Sequence, residues 1–554
     1  MFRPPMTAGS RWPWVLLFGA AALVYTVDLG SYPLGDGESK YAEAPREMLE
    51  LGDWLTPHQN YVRYLSKPPL VFWITAAGYR VFGVSERMAR LPTVFSGLAV
   101  GALLGAFGAH LFGRRVGWLA AFLWLTTSEV FAFSREAGLE LWLVLCMGTA
   151  LYGFVRGLQE RRWLYLAYAA MPLGLLVKGP MGIAWPLAVA LLWLAATGRW
   201  SERRRLWHGR GFLLALAIGL PWPVAMALRH EDFLGYTLVH EQVYRVLGSR
   251  MPNEAVFPTS TFLLLVLGEF FPWILHLPHA LGAAARRLRA GPAPGLWLAL
   301  LWSAFPLFFF SLARSKGDYY SLQIYPGWCL LVAWLWNEAL ERRVRLRWLA
   351  LPWLATAAVA LGALAALELR EWDVPLPPRG MASAFLAIAA LAGVATGLAA
   401  ARGRLRQALA GAGVLMLGFF AIQHRVIKER LPEESMSFAA KAYRAEAPPG
   451  ARLASDERPE FGHVCTLAFY AREPAWLVRD PKGSQLHFSF EEYEKQVIDE
   501  ADLAAWVRAG APVYVVGDLE RWPERLARLG LRGDLRARSG SRGLFRVGPA
   551  PAAG

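Results

Sequence analysis

Residues 12–27 read WPWVLLFGAAALVYTV, a run without a single charge that follows Arg3 and Arg11 and ends at Asp28. A soluble core needs no such run, whereas a bilayer span needs about 20 mostly apolar residues. Trp12 and Trp14 suit the interfacial end of a span, and no small-residue cleavage site follows. The segment is therefore expected to remain as a first span rather than leave as a signal peptide. Outward from it the pattern recurs, near residues 90–112, 116–133, 138–155, 163–178, 180–198, 211–229, 258–279, 295–313, 319–338, 348–367, 381–401 and 406–424. The expected fold is mainly α: a polytopic bundle of about thirteen spans.

Of the 554 residues, 55% are apolar and 18% charged, with a net charge of +15. The cations are dispersed in short arginine clusters between apolar blocks, which excludes a nucleic-acid surface and suits membrane orientation. Arg114 and Arg115, Arg161 and Arg162, Arg203 to Arg205, Arg286 and Arg287, Arg342 and Arg343, and Arg402 to Arg406 fall in alternate loops. Basic loops stay cytoplasmic, so the N-terminus is expected inside and everything beyond the last span outside, in the periplasm. Cys146 and Cys329 lie within apolar spans and Cys465 stands alone, so no zinc-type spacing is present.

Two outer loops are long, 29–89 and 230–257. Within the first, Leu70 to Phe82 is apolar but too short to cross, and is expected to lie in the interface or re-enter. Residues 39–51 form a second short amphipathic helix, with Pro45 in its first turn or kinking it. From Pro432 the composition turns polar, with helices at 433–446, 491–508 and 519–529 and β-type runs at 452–455, 512–516 and 544–547. The expected division is a membrane-embedded catalytic domain over 1–430 and a small outer α/β domain over 431–554.

Ionisable groups at the membrane are costly and are functional candidates by default. Asp36 and Glu38 follow the first span, flanking Gly37; they suit a carboxylate that orients a hydroxyl and takes its proton, or else caps for the following helix. Lys67 precedes Pro68-Pro69 and suits a lipid phosphate, or else a snorkelling cation. Glu136 and Glu140 carry helical spacing and form a cluster with Glu129 and Arg135, either as a site or as ion pairs with that arginine. Lys178 in Lys178-Gly179-Pro180 is an anchor or a ligand contact. His240-Glu241 is too sparse for a metal, and phosphate contact by Arg245 or Arg250 is preferred. Lys316, Tyr319 and Tyr320 meet where two spans leave the membrane. Acids, cations and aromatics on one surface favour a lipid-anchored phosphate substrate. A transporter or flippase of lipid-linked sugars predicts inverted repeats and broken helices, neither visible in the sequence. A sensor with an outer binding domain leaves the first-loop motifs without a purpose.

With those residues in place, the chain resembles the bacterial GT-C glycosyltransferases related to the lipid A aminoarabinose transferase and the protein O-mannosyltransferases. The resemblance rests on Tyr41-Ala42-Glu43, Arg46-Glu47-Met48-Leu49, Gly52-Asp53-Trp54, Lys67-Pro68-Pro69-Leu70, Arg90-Leu91-Pro92, Lys178-Gly179-Pro180 and Ser311 to Tyr320. It implies transfer of a sugar from undecaprenyl phosphate to a lipid, glycan or protein acceptor at the outer face of the inner membrane. It further implies an inverting displacement without an essential metal, carried out by a monomer. The family writes its acidic motif Asp-Glu-x-Arg-Tyr. Counted back from Tyr41, Glu38 takes the Glu position, Lys40 replaces Arg, Gly37 occupies the catalytic Asp position, and Asp36 lies one residue early. Either Asp36 reaches the site through a one-residue insertion or Glu38 does the work. By the same resemblance, Lys67, Arg245 or Arg250, and Tyr320 contact the carrier phosphate. Glu140 or Glu136 supplies a second acid, and Tyr41, Lys178 and Lys316 contact substrate. The first-loop carboxylate and Lys67 are expected to share one cavity.

Overall fold

The computed structural model describes residues 11–244, 258–313, 316–341, 343–369, 379–456, 462–479 and 495–550. The first span forms helix α1 (Trp12–Thr26), and the first outer loop then builds a small layer of its own. It comprises α2 (Asp36–Leu51), a hairpin of β1 (His58–Gln59) and β2 (Val62–Arg63), and α3 (Leu70–Phe82). Asn60 and Tyr61, both at positive φ (52° and 62°), close that hairpin in the twist that two-residue turns require. Pro45 sits well inside α2 rather than in its first turn. The 13-residue α3 buries Val71, Phe72, Thr75, Ala76 and Tyr79 and exposes Val81 and Phe82, as a short helix at an interface should.

Six helices among the described residues are long and apolar enough to cross a bilayer, or eight if two bent pairs each count as one span. The thirteen expected from hydropathy exceed the eight by five: α1, α8 (Leu164–Lys178), α9 (Met181–Ala196) and Tyr325–Leu340 hold only 15 or 16 α-helical residues, and Glu140–Gly157, with 18, carries a charge near each end. The bent pairs are also a departure from the unbroken spans read in the sequence. Helix α5 (Arg114–Leu125) turns by 63° into α6 (Ser128–Ser134), and Thr259–Glu269 turns by 97° into Trp273–Arg289. The two breaks meet, and each supplies the other's partners. The Ser128 amide donates to the Phe271 carbonyl (3.0 Å) and its hydroxyl to that of Glu269 (2.9 Å). Backbone groups freed at this depth must be satisfied by protein.

The last helix of the bundle, Leu405–Glu434, is 30 residues long and leads into a six-stranded sheet. The strand order is β5 (Val497–Ile498), β4 (Trp476–Val478), β3 (Arg452–Asp456), β6 (Val513–Asp518), β8 (Arg542–Pro549) and β7 (Leu531–Ser539). The first four are mutually parallel, and β8 and β7 run antiparallel. Alternation sorts the faces. Leu453, Tyr514, Val516 and Leu544 pack toward Ser437–Glu446 and Gly462–Ala471, with Val62, Leu65 and Trp222 from the membrane region in the same cluster. Ala454, Val513, Val515 and Phe545 pack on the opposite face against Leu503, Val507, Trp522 and Leu526. Of the helix expected over 491–508, residues 491–494 lie outside the described residues; among the rest the helix runs over Glu500–Arg508, because Val497 and Ile498 pair with β4 as an edge strand.

The hairpin holds the sheet against the membrane region. The Asn60 carboxamide donates to the Ala475 carbonyl and accepts from the Ala475 amide, both at 2.8 Å. Gln496 Nε2 donates back to the Asn60 carbonyl at 2.7 Å.

Candidate functional site

Gly35 adopts an extended conformation ahead of α2, which places Asp36 in the first turn and turns Glu38 back to accept from the Gly35 amide (3.1 Å). The capping reading of these acids therefore holds for Glu38. Its other contacts define its role. Arg90 of α4 (Glu86–Phe112) grips both carboxylate oxygens, with Nε at 2.9 Å, and the Ala137 amide donates at 3.0 Å. The same guanidinium donates to the carbonyls of Leu29, Tyr32 and Pro33. Glu38 and Arg90 thus fasten the outer loop to α4 and to the 135–139 turn, with the Glu38 residue only 4% exposed.

Asp36 is half-buried and lines a cavity of about 550 Å³, together with Glu136, Arg135, Glu433, Glu434 and Arg542. The Thr466 hydroxyl donates to its carboxylate at 3.3 Å. The walls thus come from the first outer loop, the turn before α7 (Glu140–Gly157), the end of Leu405–Glu434, and the sheet at β8. Arg135 does not pair with Glu136 or Glu140. It caps α1, donating to the carbonyls of Val24, Tyr25 and Val27 at 2.9–3.1 Å. Helix α6 ends at Ser134, so Glu136 and Glu140 do not share a helical face as their spacing suggested.

Glu140 instead opens α7 and forms a buried ion pair with Lys178 at the end of α8. The Lys178 ammonium lies 4.5 Å from the ring centre of Tyr319 and 5.1 Å from that of Tyr320. Tyr320 is itself stacked on Phe310 at 3.9 Å, and Lys316 is buried just before the turn that carries both tyrosines. A cation held by a carboxylate and against two aromatic rings has a fixed position.

Lys67 is 7% exposed, and its ammonium lies 3.2 Å from Glu241 of the second outer loop. Ser66 and Tyr236 hydroxyls donate to the other Glu241 oxygen, each at 3.1 Å. The sequence named Glu241 only as half of a weak metal motif; its role as the Lys67 counter-ion left no local signal. Among the described residues no cluster of three or more potential metal ligands occurs. Arg245 and Arg250 lie outside the described residues. Tyr41 packs on Phe72 of α3 with ring centres 6.4 Å apart. The lining of the Asp36 cavity does not include Lys67, which instead meets the second outer loop, where residues 245–257 lie outside the described residues.

Beyond the cavity, the outer layer contains a buried acid cluster. Arg46 grips Glu43 (Nε at 2.7 Å), while Glu47 accepts from the Tyr61 amide at 2.9 Å. Burial first, and the neighbouring Glu43 second, raise the Glu47 carboxyl well above the ordinary carboxylate range.

Residues 66–224 match the family model described as dolichyl-phosphate-mannose-protein mannosyltransferase. Over 526 residues the chain is 31% identical to the undecaprenyl phosphate-alpha-4-amino-4-deoxy-L-arabinose arabinosyl transferase of Pseudomonas aeruginosa, covering 90% of each. A similarly named protein of Pseudomonas fluorescens is 27% identical, with 92% of this chain and 93% of that one covered. Among solved structures, ArnT from Cupriavidus metallidurans bound to undecaprenyl phosphate superposes with a TM-score of 0.80 at 27% identity, covering 99% of this chain and 100% of that one. Its apo form gives 0.78 at the same identity.

Proposed function

Because the chain belongs to the undecaprenyl phosphate-aminoarabinose arabinosyl transferase family, we propose that it moves an aminopentose from undecaprenyl phosphate to lipid A, with Asp36 as the acceptor-activating carboxylate. It is a multi-pass inner-membrane glycosyltransferase with a polyprenyl-phosphate donor, which sets aside the flippase reading. The observation that carries the choice of Asp36 is the division of labour between the two first-loop acids. Both acids line the cavity, but Glu38 is held by Arg90 and by the Gly35 and Ala137 amides, whereas the Asp36 carboxylate is half-buried and accepts from the Thr466 hydroxyl.

In the proposed step the acceptor oxygen attacks the anomeric carbon and its proton passes to the Asp36 carboxylate. The bond between that carbon and the carrier phosphate oxygen breaks, with inversion, and the bonding pair leaves on the phosphate. No carboxylate nucleophile takes part, so one general base suffices. Lys67 neutralises the leaving phosphate. It holds Glu241 in this structure, so donor binding exchanges one anionic partner for another. Tyr320, Lys178, Lys316 and Glu140 form the wall that positions the sugar, and Tyr41 and Glu136 border it from the first loop and the 135–139 turn. Arg245 and Arg250 of the second loop are the proposed further phosphate contacts. Residues 431–554 are proposed as a periplasmic domain that closes the acceptor side, since Arg542 and Glu433 line the Asp36 cavity.

The test is turnover in nanodiscs, read as release of free undecaprenyl phosphate, with the aminopentose donor set against mannosyl and galactosaminyl donors and with lipid A as acceptor. Loss of turnover in D36N with retention in wild type supports the reading. Equal turnover on all donors, or on water alone, refutes the substrate assignment.

A further inference from the structure

At the end of the bundle away from the Asp36 cavity, a groove of about 600 Å³ is lined by Arg115, Leu340, Arg404, Leu405, Arg406 and Gln407. The two sites lie at opposite ends of one helix. Leu405 begins Leu405–Glu434 and Glu434 lines the cavity, and 30 residues at 1.5 Å each separate them by about 45 Å.

Three guanidiniums from two distant chain segments converge in this groove. Arg404 and Arg406 have no carboxylate partner among the described residues, and the contact of Arg115 is the neutral Asn337 carboxamide at 3.5 Å. The acid on that carboxamide, Glu341, is already taken by Arg343 at 3.0 Å. Arg404 precedes a helix with no acid in its first turn and no side-chain cap, which adds a positive end to the same place. Leu340 and Leu405 border the groove, so it presents both apolar surface and positive charge at the end of the spanning helices. Positive charge that only orients the chain needs no concave site, whereas a basic pocket between spanning helices fits the head group of an anionic lipid.

We propose that this groove binds the phosphodiester head group of an anionic phospholipid, with Arg115, Arg404 and Arg406 on the phosphate and Leu340 and Leu405 against the first acyl carbons. The site is independent of the transfer reaction.

The test titrates the full-length protein, in neutral detergent, with phosphatidylglycerol or phosphatidylcholine and counts bound lipid by native mass spectrometry. Wild type is expected to prefer phosphatidylglycerol at one site by at least about tenfold. The triple variant R115Q/R404Q/R406Q loses that preference. The control R286Q/R287Q/R289Q removes the same charge from the exposed end of Leu277–Arg289 and keeps it. Equal losses in both triples mean dispersed charge rather than a site and overturn the proposal. So does an absence of preference in wild type, a result that does not depend on any variant folding. Competition by soluble glycerol 3-phosphate at concentrations matching the lipid assigns the groove to a free phosphate and overturns the lipid commitment.

Discussion

Replacing Glu38 should damage the fold before it damages the chemistry. The carboxylate receives four donors: two nitrogens of Arg90 and the amides of Gly35 and Ala137. Both partners are nearly fully buried, at 4% and 0% exposure. Glu38→Gln keeps the shape but removes the charge and turns an amide NH2 toward donors, leaving Arg90 uncompensated. Breaking a buried pair from one side costs about 3–5 kcal/mol. The three carbonyls that Arg90 keeps, from Leu29, Tyr32 and Pro33, hold the loss toward the lower end. Melting in nanodiscs, followed by the fluorescence of the 25 tryptophans at one heating rate, should show a fall of several degrees. Glu38→Gln/Arg90→Gln should recover part of that fall, because no unpaired charge remains. Asp36→Asn should melt like wild type and lose about 10²–10⁴ in turnover, the range for a general base. A Glu38→Gln protein that melts normally and is inactive, beside an active Asp36→Asn, would reverse the assignment.

Lys67→Met should lower kcat/KM for the donor by about 10²–10³ and also destabilise, since Glu241 is left buried without its cation; adding Glu241→Gln should restore the melting point and not the turnover. Glu47 predicts a pH effect whose sign follows from its raised carboxyl. The folded state holds that proton more tightly than the unfolded chain, so the contribution is complete below the ordinary carboxylate range and declines as pH rises toward the folded value. Glu47→Gln should flatten the melting-point decline across that window and raise the neutral-pH midpoint; a variant that follows the wild-type profile contradicts this. Asn60→Ala removes the two-way clasp on Ala475 and strains a φ of 52°, at a cost of about 2–4 kcal/mol. Hydrogen exchange at Trp476–Val478 should accelerate, while α7 exchanges as before.

The helical bundle was legible because apolar runs of span length carry their own signal, and α3 because 13 apolar residues are too few to cross. The sheet's inner strands were legible from Pro512 to Val516 and Leu544 to Val547, where Val513 to Val516, Leu544, Phe545 and Val547 are buried. The edge strands were not: Val497–Ile498 is two residues long, and Leu531–Ser539 alternates arginines with small residues. For the candidate residues Asp36, Lys67, Lys178 and Tyr320 the sequence shows the residue types and the loops that carry them, but not their partners. Glu241 for Lys67, and Arg90 for Glu38, lie 174 and 52 residues away, and no local spacing connects them. The pairing of Glu136 with Glu140 failed for a related reason. The helical register that their spacing suggests breaks across residues 135–139, where the chain leaves α6 and starts again as α7.

The 30-residue helix that ends at Glu434 has a consequence for where the transfer takes place. Its length of about 45 Å exceeds the roughly 30 Å of hydrocarbon by about 15 Å, or ten residues. Those ten run from Arg425 to Glu434 and include Arg425, Lys428, Glu429, Arg430, Glu433 and Glu434, which belong in water. The floor of the Asp36 cavity is therefore raised clear of the lipid tails on a stalk. Under the proposed function, a bulky head group can approach from the side without leaving its own leaflet, and the carrier must lift its sugar upward to meet it.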